Sequence, residues 1–459
     1  MEKHKYNYGI IGNCAFLALV DSHANIGWMC WPRFDSSFVF GTLLDTKKGG
    51  GFSVTPEKEI IENAQQYVRN TNILETHFTC ADGSFKVVDF APRFFQNERS
   101  YKPLMLFRKI VPTEGRPRIR VSCQPRGEYG EFIPSKTFGS SHIRYEGLAD
   151  HLRLTTDIPL TFVDEEQAFV LNETKYLVLS WGVPLEGPLA STAETFLAKT
   201  KAYWNLWVQN TSTEHFRQEA VIRSALTLKL HQYQDTGAII AGATTSLPEF
   251  PGSTRNWDYR FCWFRDAHYT LKALNDLSHF NILRDYARFV ENIVLNENQR
   301  YHPLYPITID RIPEEKILPL EGYRGEKPVR IGNQAYEHIQ NDVYGQVLVT
   351  LLPFFTDKRL GDNNSSTSLI NLVKHCLHMI EKTMDEPDNG LWEFRGTSQL
   401  HSYTFLFHWA GGHAGQKIAQ ALGDKKMLSH ARKQVKDATA QIERCYDEKR
   451  GLYPSRWLT

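Results

Sequence analysis

The spacing of apolar residues changes once along the 459-residue chain, and this change constrains the fold most. Before residue 195 the spacing alternates. In the segment RPRIRVSC, Ile119, Val121 and Cys123 alternate with polar residues, as a half-buried strand requires. The segments FKVVDF, HLRLTTD and KYLVLSW repeat this alternation and are separated by Gly, Pro, Asn and Asp clusters. Many short strands joined by turns predict an antiparallel β-sandwich.

Beyond residue 195 the apolar spacing becomes helical. The segment STAETFLAKTKAYWNLWVQ predicts a linker helix over 196–214. Later stripes have helical spacing, one at 369, 372, 373, 376, 377 and 380 and one at 428, 431, 435, 438 and 442. We count about seven helical segments between 215 and 448, joined by long aromatic-rich loops. The sequence therefore predicts an α+β multidomain chain, with a β-sandwich over 1–195 and a helical domain over 215–459.

Charge and cysteine usage limit the classes of ligand. The 53 Lys and Arg against 52 Asp and Glu give a net charge of +1, so no net field attracts nucleic acid or an anionic membrane. The 7 cysteines show no CxxC pair or other metal-ligand spacing, and we expect no metal and no cofactor. Neither a signal-peptide core nor a run of about 18 apolar residues is present, which predicts a cytoplasmic protein.

The loop segment STRNWDYRFCWFRDAHYTL, residues 253–271, mixes aromatic and charged side chains. Unpaired charges are costly in a core, and a plain surface needs no aromatic rings. The mixture suits a pocket for a polyhydroxylated ring, in which aromatic faces cover C–H groups while carboxylates and guanidinium groups bind hydroxyls. The alternative is an Arg–Asp network that only fastens a loop.

Two further clusters carry acids. The segment PVRIGNQAYEHIQNDVYGQVL opens a helix near Gln340, and helix capping alone would explain Asp342 in its first turn. In GLWEFRG, Glu393 stands between Trp392 and Phe394. Apolar neighbours remove hydration and favour a protonated carboxyl, the state that a general acid needs. The alternative is that Glu393 pairs with Arg395 at a loop surface.

The three clusters, in this order, resemble the signatures of glycoside hydrolase family 15, the glucoamylase-like family that includes bacterial trehalases and glucodextranases. The quoted signatures are RNWDYRFCWFRDA, PVRIGNQAYEHIQNDVYG and DNGLWEFRG, and the opening YGIIGNCAFLALVDSHANIGWMCWPRFDSSFVFGTLLD resembles the start of that family's sandwich domain. The resemblance implies an (α/α)6 barrel and hydrolysis of terminal α-glucosidic bonds with inversion. It also implies an α-linked glucoside or oligosaccharide as substrate.

The resemblance also implies roles for individual residues. Glu393 matches the general acid, and Arg265 with Asp266 matches the grip on the non-reducing-end glucose. Trp263, Trp392 and Arg395 match the pocket walls. From the same clusters we add two substrate-binding candidates, which are Trp257 and Asp342.

The chain departs from the family at its general base, a glutamate in the final barrel helices. The sequence ends at DEKRGLYPSRWLT, which resembles a stretch before that glutamate, so we predict an incomplete barrel and find no base. A truncated product, a homo-oligomer in which a second copy covers the open face, and a degenerate relative are the three explanations, of which we favour truncation. Glu337, Glu386 and Asp388 lie near the motifs, but their placement qualifies none of them as the base.

Two other functions remain open from the sequence. A sugar-binding pseudoenzyme would keep the Arg265 and Asp266 grip and lack a base. A sugar epimerase or phosphorylase on a related helical barrel is the other alternative.

Overall fold

The chain forms two compact units. The computed structural model describes residues 5–296, 300–308, 314–360 and 366–454, without the side chains of 294–296. The first unit, here called the sheet unit, comprises Met1–Asp235, Gly242–Arg260 and Lys316–Ile331. The second, the helical unit, comprises Thr236–Ala241, Phe261–Glu315 and Gly332–Thr459. The sheet unit thus continues past residue 195, because three later segments pack with the strands.

Short strands dominate the sheet unit. They are β1 (Tyr8–Gly12), β2 (Leu17–Asp21), β3 (Asn25–Cys30), β4 (Phe38–Phe40), β5 (Phe52–Pro56), β6 (Ile60–Tyr67), β7 (Leu74–Cys80), β8 (Gly83–Phe90), β9 (Phe94–Gln96), β10 (Arg99–Tyr101), β11 (Met105–Gly115), β12 (Arg118–Cys123), β13 (Ser135–Phe138), β14 (His142–Glu146), β15 (Leu152–Thr156), β16 (Phe169–Val170) and β17 (Lys175–Trp181). Three helices follow or interrupt them: α1 (Leu160–Asp164), α2 (Leu189–Gln209) and α3 (Gln218–Leu230).

The strands form two large antiparallel sheets. One has the order β1-β2-β3-β5-β12-β16 with β4 beside β3, and the other has the order β13-β14-β15-β17-β11-β8-β7-β6. Val121 of the first sheet and Leu106 and Leu154 of the second are 0% exposed and share one hydrophobic core. The predicted antiparallel sandwich is therefore confirmed, and its strands include the four segments in which apolar residues alternate.

A buried ion pair lies inside the sandwich. Arg108 Nε donates to Asp89 Oδ1 at 2.7 Å, and both side chains are 0% exposed. The guanidinium also donates to the carbonyl oxygens of Phe52 and Ala24, each at 2.5 Å. Burial raises the pKa of Asp89, while the charge of Arg108 opposes that rise. The pair is a fixed structural link within this core.

The helical unit contains six α-helices within its described residues. They are α4 (Phe264–Asp276), α5 (Phe280–Asn296), α6 (Val343–Thr356), α7 (Thr367–Lys382), α8 (Ser402–Leu422) and α9 (Lys425–Arg444). The short strand β18 (Cys262–Trp263) precedes α4 and pairs with β19 (Leu304–Tyr305), which follows α5. Strands β20 (Lys316–Leu318) and β21 (Val329–Ile331) pair in the sheet unit. With α3, seven helices lie between 215 and 448 in the part of the chain that the structure describes, which matches the number expected.

The apolar stripe predicted on α7 is confirmed, and the one predicted on α9 differs from the buried face of that helix. All six apolar residues expected on the buried face of α7 are buried. On α9 the buried residues are Met427, Ala431, Gln434, Ala438 and Gln441, whereas Leu428, Val435 and Ile442 are half-buried. The apolar pattern was wrong there because two glutamines have buried partners: Gln434 donates to the Leu377 carbonyl and Gln441 to the Asp385 carboxylate.

Helices α6 and α8 cross at glycine positions. A Cβ placed on Gly345 would lie 2.0 Å from the Phe407 carbonyl oxygen, and one on Gly411 would lie 2.7 Å from the Gly345 Cα. A larger residue would therefore push the helices apart. This close crossing holds the start of α6, which follows Asp342, against α8.

Candidate active site

The Glu393 loop is held by hydrogen bonds to the segment before α6. Asn389 N donates to the Ile339 carbonyl at 2.8 Å, and Ile339 N donates to Asn389 Oδ1 at 3.0 Å. Gly390 and Glu393 both have positive φ, 66° and 53°. A left-handed backbone at glutamate is uncommon, and such conformations persist only where their surroundings hold them. The backbone therefore fixes where the Glu393 carboxyl points.

Three nitrogen donors reach one oxygen of Glu393. Trp263 Nε1 donates to Oε1 at 2.9 Å, Arg265 Nη1 at 3.2 Å and Gln340 Nε2 at 3.2 Å. The Glu393 side chain is 20% exposed. Three donors therefore fix the position of Oε1. All four residues belong to the helical unit.

The prediction that Trp392 and Phe394 shelter the Glu393 carboxyl from water is wrong. Trp392 is 61% exposed, and Phe394 is half-buried. The carboxyl is instead surrounded by N–H donors from residues distant in sequence. The alternative that Glu393 pairs with Arg395 is also wrong, because Glu393 pairs with Arg265 while Arg395 pairs with Glu315 at 2.6 Å.

Arg265 and Asp266 begin helix α4 and form an ion pair. Arg265 Nη2 lies 3.1 Å from Asp266 Oδ2, and Arg265 Nη1 also donates to the Leu391 carbonyl at 3.2 Å. Burial lowers the pKa of Arg265, but the neighbouring acids Asp266, Glu393 and Asp342 raise it by more, so the net pKa is above its usual range. Burial raises the pKa of Asp266, and the neighbouring Arg265 opposes that rise. Arg265 thus stays a cation in a cluster of acids.

Asp342 is buried at the start of α6 and does not cap the helix. Its side chain makes no capping hydrogen bond, although Gln346 Nε2 donates to Oδ2. Asp342 is 1% exposed, and its Oδ1 has no hydrogen-bond partner among the described residues. Burial first, and then the charge of Asp388, raises the pKa of Asp342 to about 7. Capping therefore does not explain this acid.

The cluster over 253–271 divides between the two units. Asp258 and Arg260 form the fastening network of the alternative interpretation: both are buried in the sheet unit, with Arg260 Nη2 2.8 Å from Asp258 Oδ2. Trp257 is half-buried in the same unit, where the Arg330 guanidinium lies 4.4 Å from its ring centre. Trp263, Arg265 and Asp266 belong to the helical unit with Glu393.

Sequence reasoning missed two residues of this cluster. In the sequence Gln340 marks only a helix start, yet it donates to Glu393. The sequence placement of Asp388 qualifies it for no role, yet it is 1% exposed and accepts hydrogen bonds from Asn341 N, beside Asp342, and from Gly390 N, near Glu393. The signal for Asp388 in the sequence is its position two residues before Gly390. Of the other nearby acids, Glu386 pairs with Arg300 at 2.8 Å and Glu337 is exposed.

The described residues contain no group of three or more His, Cys, Asp or Glu side chains arranged to hold a metal ion. Of the helices that the structure describes, none has the length and apolarity needed to cross a membrane.

Comparisons with known proteins agree with this architecture. A bacterial glucoamylase complexed with acarbose has a TM-score of 0.63 at 14% identity, covering 97% of this chain and 67% of that chain. This likeness shows the fold, an antiparallel sheet domain followed by a helical domain of the (α/α)6 type, to which the described residues after 215 contribute seven helices. A trehalase from Thermoplasma volcanium is 30% identical over 95% of this chain and 70% of its own length. A trehalase from Mycolicibacterium smegmatis is 29% identical over 98% of this chain and 71% of its own length.

Two family models match successive parts of the chain. The model described as trehalase-like, N-terminal, matches residues 6–161. The model for glycosyl hydrolases family 15 matches residues 215–457, which is more than half of the chain and includes the Glu393 cluster. The chain therefore belongs to glycosyl hydrolases family 15 and is a glycosidase.

Proposed function

We propose that this glycosidase releases glucose from the non-reducing ends of α-glucosides with inversion, and that Glu393 is its general acid. The observation that carries the proposal is the convergence of Trp263, Arg265 and Gln340 on Glu393 Oε1. A general acid must be held at one position while its proton faces the leaving oxygen. Three donors on Oε1 orient the carboxyl and also favour its ionised form, and the proposal places the proton that passes to the glycosidic oxygen on Oε2.

Arg265 and Asp266 grip the terminal glucose. A guanidinium donates hydrogen bonds to sugar hydroxyls and a carboxylate accepts them. An adjacent Arg–Asp pair can therefore form both kinds of hydrogen bond with a sugar. Arg265 also stays positive beside the acids. Positive charge there offsets the negative charge that Glu393 gains when it gives up its proton. Trp263, Trp392, Arg395 and Asp342, all of the helical unit, are the further substrate-binding candidates.

Trehalose is the first substrate to test, since relatives from Thermoplasma volcanium and Mycolicibacterium smegmatis bear the name trehalase. Trehalose, maltodextrin and isomaltose-type sugars present the same non-reducing glucose. Inversion also requires a second carboxylate about 6.5–9.5 Å from the acid, to activate water on the opposite face. The proposal assigns the acid and the glucose grip, and it assigns no residue of this chain as the base.

The first test replaces the acid. Glu393→Gln keeps the size of the side chain and removes the transferable proton, so we expect kcat on trehalose to fall about a hundredfold or more. Glu381→Gln is the control, because Glu381 lies on α7 and pairs with Lys433 and His430 at the surface. Full activity of Glu393→Gln would refute the proposed role.

The second test determines whether hydrolysis inverts or retains the configuration at the anomeric carbon. Both anomeric carbons of trehalose are α, so inversion at one carbon gives equal amounts of α- and β-glucose at first. Proton NMR during the first minutes separates these anomers before they equilibrate. An initial product that is all α-glucose would show retention. Calorimetric binding of glucose without any hydrolysis of trehalose, maltodextrin or isomaltose would instead support a sugar-binding protein.

A further inference from the structure

Asp388 connects three segments of the helical unit. Its Oδ2 accepts hydrogen bonds from Asn341 N at 2.9 Å and from Thr404 Oγ1 at 2.8 Å. Its Oδ1 accepts from Gly390 N at 3.0 Å. Asn341 precedes Asp342, Gly390 begins the Glu393 turn, and Thr404 lies in the first turn of α8. One buried carboxyl therefore contacts the backbone of both acid-bearing segments.

A short path of hydrogen bonds joins Asp388 to Glu393. Gly390 donates its N–H to Asp388 and accepts at its carbonyl from Glu393 N at 3.2 Å. The left-handed backbone of Glu393 lies at the end of this path. A displacement of Asp388 would therefore shift the turn that aims the Glu393 carboxyl. Misplacement by about 1 Å can reduce the rate of an enzyme about a hundredfold.

Asp388 and Asp342 are unequal in their hydrogen bonds. Burial raises the pKa of Asp388, and the three hydrogen bonds that it accepts oppose this rise because they stabilise its ionised form. Asp342 accepts one from the Gln346 amide, and its Oδ1 has no partner among the described residues. Two neighbouring buried carboxyls do not both ionise readily. A single proton shared by the pair therefore belongs on Asp342.

We propose that Asp388 is a positioning residue that, as an ionised carboxylate, fixes the Glu393 turn against the Asp342 segment and keeps the proton on Asp342. The inference rests on the proposed role of Glu393 as general acid. The raised pKa of Asp342, of which the Asp388 charge is the largest cause after burial, agrees with this division. The other charged or titratable groups that face the pair are Arg265, Glu393, Tyr403 and His401.

Kinetics test the positioning. Asp388→Asn keeps the volume of the side chain but places an NH2 group where an oxygen accepts hydrogen bonds. We expect kcat to fall about ten- to a hundredfold, with KM within about threefold of the wild-type value, because binding groups remain. Thr404→Val removes one of the three donors and should produce a smaller loss of kcat. It also tests the proposal if Asp388→Asn does not fold.

Thr383→Val is the matched control. Thr383 is 0% exposed in the same unit, and its hydroxyl bonds a helix carbonyl, that of Met379. We expect its kcat to equal that of the wild type. Wild-type kcat in Thr404→Val, together with inactive Glu393→Gln, would overturn the positioning role and leave the proposed function intact.

Infrared spectroscopy tests the proton without an activity assay. The wild-type protein should show the C=O band of a protonated carboxyl that disappears as pH rises through about 7, and Asp342→Asn should lack it. In Asp388→Asn, or in Asp388→Ser if the first variant does not fold, the band should disappear at a lower pH, because a negative neighbour is gone. An unchanged midpoint, or no such band in the wild type, would overturn the proposal. Since the readout needs no turnover, failure of the proposed function remains a separate result.

Discussion

At the scale of single residues, Asp342 shows how burial and a neighbouring charge control ionisation. The pKa of Asp342 is raised from 3.8 to about 7, so the folded chain keeps a proton that the unfolded chain loses at lower pH. The neutral Asp342 side chain therefore contributes stability that is complete below pH 3.8 and is lost as pH rises to about 7. Above pH 7 the folded chain bears the cost of a buried charge.

Asp342→Asn should remove this dependence on pH. The free energy of unfolding of the variant, relative to the wild type, should increase from pH 5 to pH 8 by roughly a few kcal/mol at most. Urea denaturation at several pH values measures the difference. Asp276→Asn is the control, since Asp276 pairs with Lys272 at an exposed site. Parallel curves for Asp342→Asn and wild type would contradict the expectation.

At the scale of elements, the crossing of α6 and α8 depends on the absence of a side chain at Gly345. Alanine usually favours a helix over glycine by about 1 kcal/mol. At Gly345, however, a Cβ would meet the Phe407 carbonyl oxygen at 2.0 Å. Backbone atoms cannot move aside as a flexible side chain can, so the close contact outweighs helix propensity.

Gly345→Ala should therefore lower the free energy of unfolding by about 1–3 kcal/mol. It should also lower kcat, because the contact of His408 Nε2 with the Asn341 carbonyl, at 3.1 Å, joins α8 to the residue before Asp342. Gly412→Ala is the matched variant, since its Cβ would meet a Val435 side-chain methyl at 2.9 Å and no backbone atom nearer than 3.4 Å. Equal destabilisation by the two variants would refute this explanation.

Local spacing predicted most of these elements. Alternation at Ile119, Val121 and Cys123 gave a strand whose apolar side is buried, and the α7 stripe was correct at each apolar position. The prediction failed on α9, where Gln434 and Gln441 take buried positions through hydrogen bonds to other elements. Periodicity measures hydrophobicity along one segment and contains no information on partners elsewhere.

The site was less accessible to sequence reasoning than the fold. Residue types identified Glu393, Arg265 and Asp266, but the ion pair of Glu393 joins residues 128 apart. Nearest neighbours in sequence suggested an apolar surrounding and a pairing with Arg395, and both were wrong. The left-handed backbone at Glu393 turns its side chain away from the arrangement that a regular segment would give.

At the scale of the whole molecule, each unit has buried interactions of its own. The Arg108–Asp89 pair lies within the sheet unit, and the Gly345 crossing lies within the helical unit. Proteins with more than one core commonly unfold in more than one step. We therefore expect calorimetry to resolve two transitions, one for each unit.

Substitutions should assign the transitions. Arg108→Met leaves Asp89 buried without its partner, and we expect it to destabilise one transition by about 3–5 kcal/mol while the other stays in place. Gly345→Ala should shift the other transition. The double change Asp89→Leu with Arg108→Met should be less harmful than the single one, because it leaves no unpaired charge. A single transition that every variant shifts equally would contradict independent cores.

The rate at which the buried thiols are alkylated can report how often each unit opens. All seven cysteines are free and buried, with Cys14, Cys30, Cys80 and Cys123 in the sheet unit and Cys262, Cys376 and Cys445 in the helical unit. An alkylating reagent can modify such a thiol only when its surroundings open. Mass spectrometry of alkylated peptides would then time the opening of each unit in the unmodified sequence, with no label introduced.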